Sequence, residues 1–399
     1  MAEDRLSLSE VAARTGVTPA TLKRWVEKGV IPDAKGATKD GWTPAAAAHA
    51  RVVARLRERG HSLDQIKEAT SEGRLAYGLL EDLFPASERI WSLDEASEET
   101  GLEPELIERI WLSMGFARHE LDALSDDDMQ ALRWVASVLD AGFPLVAFLQ
   151  LTRVYGQSLS QIADAETRLF HIYVHEPLMR EGVPALEMAD EMANLGQDLL
   201  PLASPIMDYI HQRYLAHFSE QDVVGHMEME VDGDTGYGRI KVAIVFADLA
   251  GYTRYVEEEG EEEALSYVER FIDAVGDTLP EGARVVKTIG DEVMVVGQDI
   301  GALVEWSVGF SRLYAEERPA PRIGINAGPV LYRDGDYFGR EVNLASRVVA
   351  RARGGEVLIT GQVADEIKAM PHLAIDHIGQ VKLKGFDEPR SLCRVAQAD

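Results

Sequence analysis

Two carboxylates in the second half of the chain stand where a cation and a phosphate could meet. Asp248 closes the apolar run Val242-Ala-Ile-Val-Phe-Ala-Asp248, and a small turn, Leu249-Ala-Gly251-Tyr-Thr253, follows it. Such a run reads as a strand buried on both faces. Open α/β sheets bind ligands beyond the carboxyl ends of their strands, and the helix start after Gly251 offers free N–H groups to an anion. A carboxylate beside a phosphate cradle is one way to hold a divalent metal and a nucleotide together. The same residues also fit a core strand that ends in a helix-capping Asp. Asp291 sits at the tip of Lys287-Thr-Ile-Gly290-Asp291. Alone it is ordinary turn chemistry; beside Asp248 it would complete a two-carboxylate metal site. Asn343 and Arg347 are four residues apart and share a helix face, where an amide and a guanidinium can grip a ribose and a phosphate. Lys384 precedes Gly385 on a turn.

The elements that must position these groups are legible around them. Ala283 to Val296 reads as a hairpin of two apolar strands about Gly290-Asp291, with Lys287 in the first strand. Pro321 to Val330 is another buried strand, and it leads through Gly335-Asp336-Tyr-Phe-Gly339 into the helix of Asn343 and Arg347. Gly379 to Phe386 is a strand pair carrying Lys384. The run Glu257 to Glu263 reads as a solvated face, because consecutive glutamates diverge around a helix.

Taken in order, Phe246-Ala-Asp248-Leu-Ala-Gly-Tyr-Thr253, Lys287-Thr-Ile-Gly-Asp291, Gly335-Asp336-Tyr-Phe-Gly339, Val342-Asn343-Leu-Ala-Ser-Arg347 and Leu383-Lys384-Gly385 resemble the catalytic domain of class III nucleotide cyclases over residues 240–399. The resemblance implies an α/β, ferredoxin-like-core catalytic domain that converts ATP to 3′,5′-cyclic AMP and pyrophosphate. It implies that Asp248 and Asp291 hold two Mg²⁺ or Mn²⁺ ions per site, and that the backbone around Gly251 and Thr253 cradles the phosphates. Lys287 and Asp336 would read adenine; guanylate cyclases of the family carry Glu in place of that Lys. Asn343 would orient the ribose, Arg347 would stabilise the α-phosphate in the transition state, and Lys384 would bind phosphate. In this family the metal aspartates and the Asn/Arg pair of one site come from different subunits, so a chain with the whole set implies a homodimer with two composite sites. The short stretch from Pro329 to Gly335 matches the short-armed bacterial branch.

The first half is helical. Ser7-Leu-Ser-Glu-Val-Ala-Ala-Arg-Thr-Gly16-Val-Thr-Pro19 reads as helix, turn, helix, and the second helix carries Lys23, Arg24 and Lys28. With the Lys28-Gly-Val-Ile-Pro32 turn and Arg59-Gly-His-Ser-Leu-Asp-Gln-Ile66, residues 1–72 resemble the winged helix-turn-helix domain of the mercury-resistance-regulator (MerR) family, which implies DNA binding through those three residues. The pattern returns at an offset of 85 residues: Ser92-Leu93…Thr100-Gly101-Leu-Glu-Pro104 repeats Ser7-Leu8…Thr15-Gly16-Val-Thr-Pro19. Residues 7–70 hold 11 Lys and Arg against 7 Asp and Glu, whereas residues 92–152 hold 3 against 13. Phosphate neutralisation dominates non-specific DNA affinity, so the acidic copy reads as a protein-packing module. Residues 87–225 resemble the helical regulatory domain of some actinobacterial class III cyclases, and the Gly- and Asp-rich residues 226–239 read as a linker and transducer. His171 and His175 share a helix face. With His211, His217 and His226 they read as packed or surface histidines, as a pH-responsive interface, or, for the first two, as a zinc pair.

The architecture expected is thus multidomain: an all-α winged-helix-like module, a helical regulatory domain, then the α/β cyclase domain. A net charge of −28 disfavours nucleic acid and anionic membrane as partners of the chain as a whole. With one cysteine, Cys393, no disulfide can form within one chain. The polar N-terminus and the absence of a membrane-length apolar run give the expectation of a cytoplasmic enzyme. The alternative function is a DNA-binding transcriptional regulator whose cyclase domain senses ATP without turning it over.

Overall fold

The computed structural model describes residues 5–31, 41–75, 89–183, 185–228 and 239–398. The chain divides into two compact units, Met1–Leu215 and Ala216–Asp399.

In the first unit, helices begin and end where local chemistry directs. α1 (Leu8–Thr15) opens on a reciprocal Ser7–Glu10 capping box and closes on Gly16 in the left-handed region. α2 (Pro19–Glu27) starts on a Thr18 cap with Pro19 in its first turn. α3 (Pro44–Glu58) and α4 (Leu63–Ser71) are capped by Thr43 and Ser62. The series then recurs as β1 (Arg89–Trp91), α5 (Leu93–Thr100), α6 (Pro104–Ser113), β2 (Leu124–Ser125), α7 (Asp126–Asp140) and α8 (Leu145–Phe170). Ser92–Glu95 repeats the capping box and Gly101 the left-handed stop. Val11, Leu22 and Trp25 are buried in the first copy; Ala96, Ile107 and Ile110, 85 positions later, are buried in the second. The Leu6–Trp42 bridge has its counterpart in the pairing of Trp91 with Leu124.

A π-helical turn, His171–His175, leads to α9 (Glu176–Arg180) and then to α10 (Ala185–Glu228). α10 passes through Pro201 and Pro205 without ending. It also runs past residue 226, where the linker was expected to start; residues 229–238 of that linker lie outside the described residues. So do residues 32–40 of the Gly- and Lys-rich loop after α2.

The second unit is built on one mixed sheet. Its strands are β3 (Arg239–Leu249), β4 (Ala283–Ile289), β5 (Glu292–Gly297), β6 (Pro321–Arg333), β7 (Asp336–Phe338), β8 (Val357–Thr360), β9 (Leu373–Val381) and β10 (Arg390–Gln397). The strand order is β4-β5-β3-β6-β8-β10-β9, with β7 beside β6. Among the described residues of this sheet only β6 and β8 pair in parallel; the other pairs are antiparallel. Its helices are α11 (Tyr252–Glu259), α12 (Glu261–Thr278), α13 (Ile300–Leu313), α14 (Arg340–Val349) and α15 (Gly361–Ile367).

Every residue from Val242 to Leu249 is buried, as a central strand covered on both faces requires. Ala243, Val245 and Ala247 join the core that includes Phe271, Phe310 and Val363 of α12, α13 and α15. Val242, Ile244 and Phe246 point the other way, into the core with Ala345 and Val349 of α14. α14 lies almost on the backbone of β6. A Cβ at Gly324 would fall 2.1 Å from the Val349 nitrogen, and one at Gly328 would fall 2.9 Å from Glu341 Cγ. Bare backbone at those two positions lets the helix that carries Asn343 and Arg347 come this close. The glutamate run is exposed as expected but is split between α11 and α12 at Gly260, whose φ of +92° ends the first helix.

Candidate active site

Asp248 is 8 % exposed and lies in register with Glu292 of β5 on one side and Arg322 of β6 on the other. Directly opposed residues in antiparallel strands share a face, so the three side chains converge. Arg322 grips Asp248 Oδ2 with two nitrogens, its Nε at 2.7 Å. The hairpin turn, with Gly290 at φ +63°, brings Asp291 to the same place, within reach of a bond to Asp248 through a shared proton. Burial, then the bond to and charge of Asp248, push the Asp291 carboxyl up to about 6, against the opposing pull of Arg322. Burial likewise raises Glu292, helped by Asp248 and Asp291, while Arg322 and Arg347 act the other way. Two carboxylates share one site and need a cation to be ionised together. Arg322 is the residue that sequence reasoning missed. Its signal, an arginine opposite Asp248 across a strand pair, exists only once the register is known.

Beyond Asp248 the chain turns at Gly251, the N-cap of α11, with φ +84°. Thr253 is exposed in the first turn. Burial and the charge of Asp291 raise the Tyr252 phenol, so the start of α11 lies within the field of the aspartate pair.

Lys287 and Asp336 form an ion pair between β4 and β7. Asp336 is also fixed by the Tyr337 N–H, which donates to its Oδ1 at 2.8 Å. Asn343, Arg347 and Lys384 meet in a third place. They line a concavity of about 920 Å³ together with Arg340 and Phe386, and the Arg340 guanidinium stacks over the Phe386 ring at 5.7 Å. The predicted residues therefore gather as an aspartate pair, a Lys–Asp pair and a pocket whose three cations, Arg340, Arg347 and Lys384, are accompanied by Asp387 and Glu388. Arg347 links the first and last through its charge on Glu292.

In the first unit, Lys23 and Arg24 of α2 and Lys28, its C-cap, are exposed. His175 is 1 % exposed; its Nδ1 lies 3.0 Å from His171 Nδ1 and its Nε2 3.1 Å from the Gly73 carbonyl. Burial pulls its pKa down. His211 and His217 are exposed, and the side chain of His226 lies outside the described residues. No described helix is long and apolar enough to cross a membrane.

Residues 238–393 match the model of the adenylate and guanylate cyclase catalytic domain, and residues 38–218 match that of the adenylate cyclase regulatory domain. An adenylate cyclase of Streptomyces coelicolor is 33% identical over 294 residues, 72% of this chain and 74% of that protein. One from Streptomyces griseus is 32% identical over 77% of this chain and 75% of its own length. A pH-sensitive adenylate cyclase of Mycobacterium tuberculosis is 29% identical over 82% of each chain. Among solved structures, the adenylyl cyclase CyaB from P. aeruginosa is 26% identical and covers 40% of this chain and 96% of its own, with a TM-score of 0.38. With relatives a third identical across most of both chains, and with both domain models matched in order, the chain belongs to the class III adenylate cyclases, a regulatory domain followed by a cyclase catalytic domain.

Proposed function

We propose that the protein converts ATP to 3′,5′-cyclic AMP and pyrophosphate by two-metal catalysis in a homodimer, under the control of its helical first half. The observation that carries this reading is the pairing of buried Asp248, at the end of β3, with half-buried Asp291 in the turn between β4 and β5, a shared negative charge that calls for cations. The pair fits Mg²⁺ or Mn²⁺, hard ions that take oxygen ligands and are often held by one or two carboxylates plus substrate phosphates. Among the described residues no group of three or more His, Cys, Asp or Glu could hold a metal unaided, which suits a site completed by the triphosphate. When bound, such ions supply Lewis-acid activation of the 3′-hydroxyl and charge neutralisation on the phosphates.

The chain's own residues do the rest. Lys287 donates to adenine N1 and Asp336 accepts from the 6-amino group. Asn343 orients the ribose, so that the 3′-oxygen lies in line with the α-phosphorus and displaces pyrophosphate. Arg347 stabilises the charge that builds on the α-phosphate oxygens, and Lys384 holds phosphate. Arg322 balances the aspartate pair between turnovers. In the homodimer, Asp248 and Asp291 of one protomer face Asn343 and Arg347 of its partner, so the helical region acts by setting the distance between two catalytic domains.

Purified protein with ATP and Mn²⁺ should make cyclic AMP, and Asp248→Ala should abolish it. A wild-type protein that makes none with either metal sinks the proposal and favours an ATP-sensing regulator. The exposed Lys23 and Arg24 on α2, with Lys28 at its C-cap, support a second activity, DNA contact by the basic first repeat. A mobility-shift assay that shows no retardation at low salt removes it.

A further inference from the structure

Lys287 and Asp336 do not stand alone. The register of β4 against β5 slips between Val285 and Lys287, so Arg284 lies opposite Val296 and Lys287 opposite Met294. In a regular strand, residues three apart point to opposite faces. The extra residue at this bulge puts Arg284 and Lys287 on the same face. Their targets on β7 are adjacent: Lys287 pairs with Asp336, and Arg284 Nη2 donates to the Tyr337 hydroxyl at 2.6 Å. β7 is only three residues long and pairs with β6 alone. These two cationic rungs from β4 therefore decide where it sits.

Arg284 is held in turn by aromatic rings. Its guanidinium lies 5.1 Å from the ring of Phe218, 5.9 Å from Tyr332 and 5.6 Å from Tyr337. Tyr332 and Tyr337 meet edge to face. Among the described residues Arg284 has no carboxylate partner, so ring faces and one phenol meet its charge. Phe218 belongs to α10, the helix that begins in the regulatory unit, and falls in the second unit with the rings it joins.

We infer that Arg284 is a positioning residue for adenine recognition, and that Phe218 lets the end of α10 control it. Seated under Phe218, Arg284 fixes Tyr337, whose N–H aligns the Asp336 carboxylate for Lys287 and the 6-amino group. When the helix end withdraws, Arg284 loses a ring face, β7 loses one of its rungs, and the base-reading pair loosens. The regulatory half then changes the affinity for ATP as well as the placement of the catalytic domains. The inference rests on the reading of Lys287 and Asp336 as the adenine pair.

The test is steady-state kinetics of the full-length protein with ATP and with GTP, beside Phe218→Ala, Arg284→Ala, Arg284→Lys and Lys287→Glu. Arg284→Ala should raise KM for ATP about tenfold and narrow the preference over GTP, with kcat within about twofold of wild type. Phe218→Ala, an exposed site whose loss opens no core cavity, should act in the same direction by a smaller factor. Arg284→Lys should recover part of the effect, because an ammonium keeps the charge but not the planar grip. If Phe218→Ala and Arg284→Ala keep wild-type KM and base preference, or lower kcat alone, while Lys287→Glu changes the preference, the inference is wrong and the adenine assignment stands. If Lys287→Glu leaves the preference unchanged, the adenine assignment itself is wrong and the inference goes with it.

Discussion

At the scale of single residues, the aspartate pair and its counter-cation set the behaviour of the site. Asp248 is buried and Arg322, 30 % exposed at its side chain, bonds it with two nitrogens. Removing Arg322 leaves two carboxylates facing each other. Arg322→Ala should cost about 2 kcal/mol, less than a fully buried pair because solvent reaches the guanidinium. Added Mn²⁺ should restore much of it, read as a melting temperature with and without the metal. Equal losses under both conditions would mean that Arg322 does not serve the pair. A second buried titratable group lies in the first helical repeat. His49 Nε2 is 3.2 Å from both the Val30 carbonyl and the Thr70 hydroxyl, and burial pulls its pKa down to about 4, against the raising effect of that carbonyl. Between pH 6.5 and 4 the unfolded chain takes up a proton that the folded one refuses. Stability should therefore fall as pH drops through that window, by about 3 kcal/mol at pH 4. His49→Gln, which keeps a donor for Val30, should flatten this dependence in thermal melts of the first unit. An unflattened profile would assign the acid sensitivity to other groups.

At the scale of elements, catalytic geometry depends on how closely α14 approaches β6. Asn326, 1 % exposed, donates to the Glu341 carbonyl and carboxylate and accepts from Thr360, tying the first turn of α14 to the sheet. Gly324 lies under the last turn. Gly324→Ala puts a methyl group into the Val349 backbone, which cannot move away as a flexible side chain would. The expected cost is about 3 kcal/mol or more, with turnover falling because Asn343 and Arg347 ride on the displaced helix. Gly328→Ala meets only the Glu341 side chain but carries a φ of +158°, near the extended range, and should be milder. Denaturant melts of the two variants check the order, and a reversed order would show that backbone approach at Gly324 is not the constraint.

At the scale of the molecule, the first unit displays apolar residues that its own core does not use. Leu199, Leu202, Ile206 and Tyr209 on α10 are between 48 and 61 % exposed and recur at spacings of three, four and three, the seam of a helix that packs against another helix. Exposed apolar stripes of this size mark interaction surfaces. In the proposed homodimer a second copy covers them. Leu202→Glu with Ile206→Glu should shift full-length protein toward monomer in sedimentation, and turnover should fall with it. A double variant that stays dimeric would leave assembly to the catalytic domains alone. Comparing the whole chain with residues 240–399 then tells whether the first half restrains or promotes turnover.

Much of the molecule can be read from its sequence because the relevant physics is local. Caps such as Ser7–Glu10 and Ser92–Glu95, stops at Gly16 and Gly101, and the apolar run into Asp248 depend on neighbours a few residues away. They reveal the helices, the repeat and the central strand, and the ordered motifs reveal the chemistry. Pairing across the sheet is different. That a bulge turns Arg284 and Lys287 to one face depends on the register of β4 against β5, and that Arg322 faces Asp248 and Phe218 closes over Arg284 depends on segments 66 or more positions apart. α10 also continues through Pro201 and Pro205, residues that locally favour a break. Strand register is chosen by the packing of the entire sheet, where a shift of one residue reverses every side chain. Only the tertiary structure could therefore decide which charges in this protein meet.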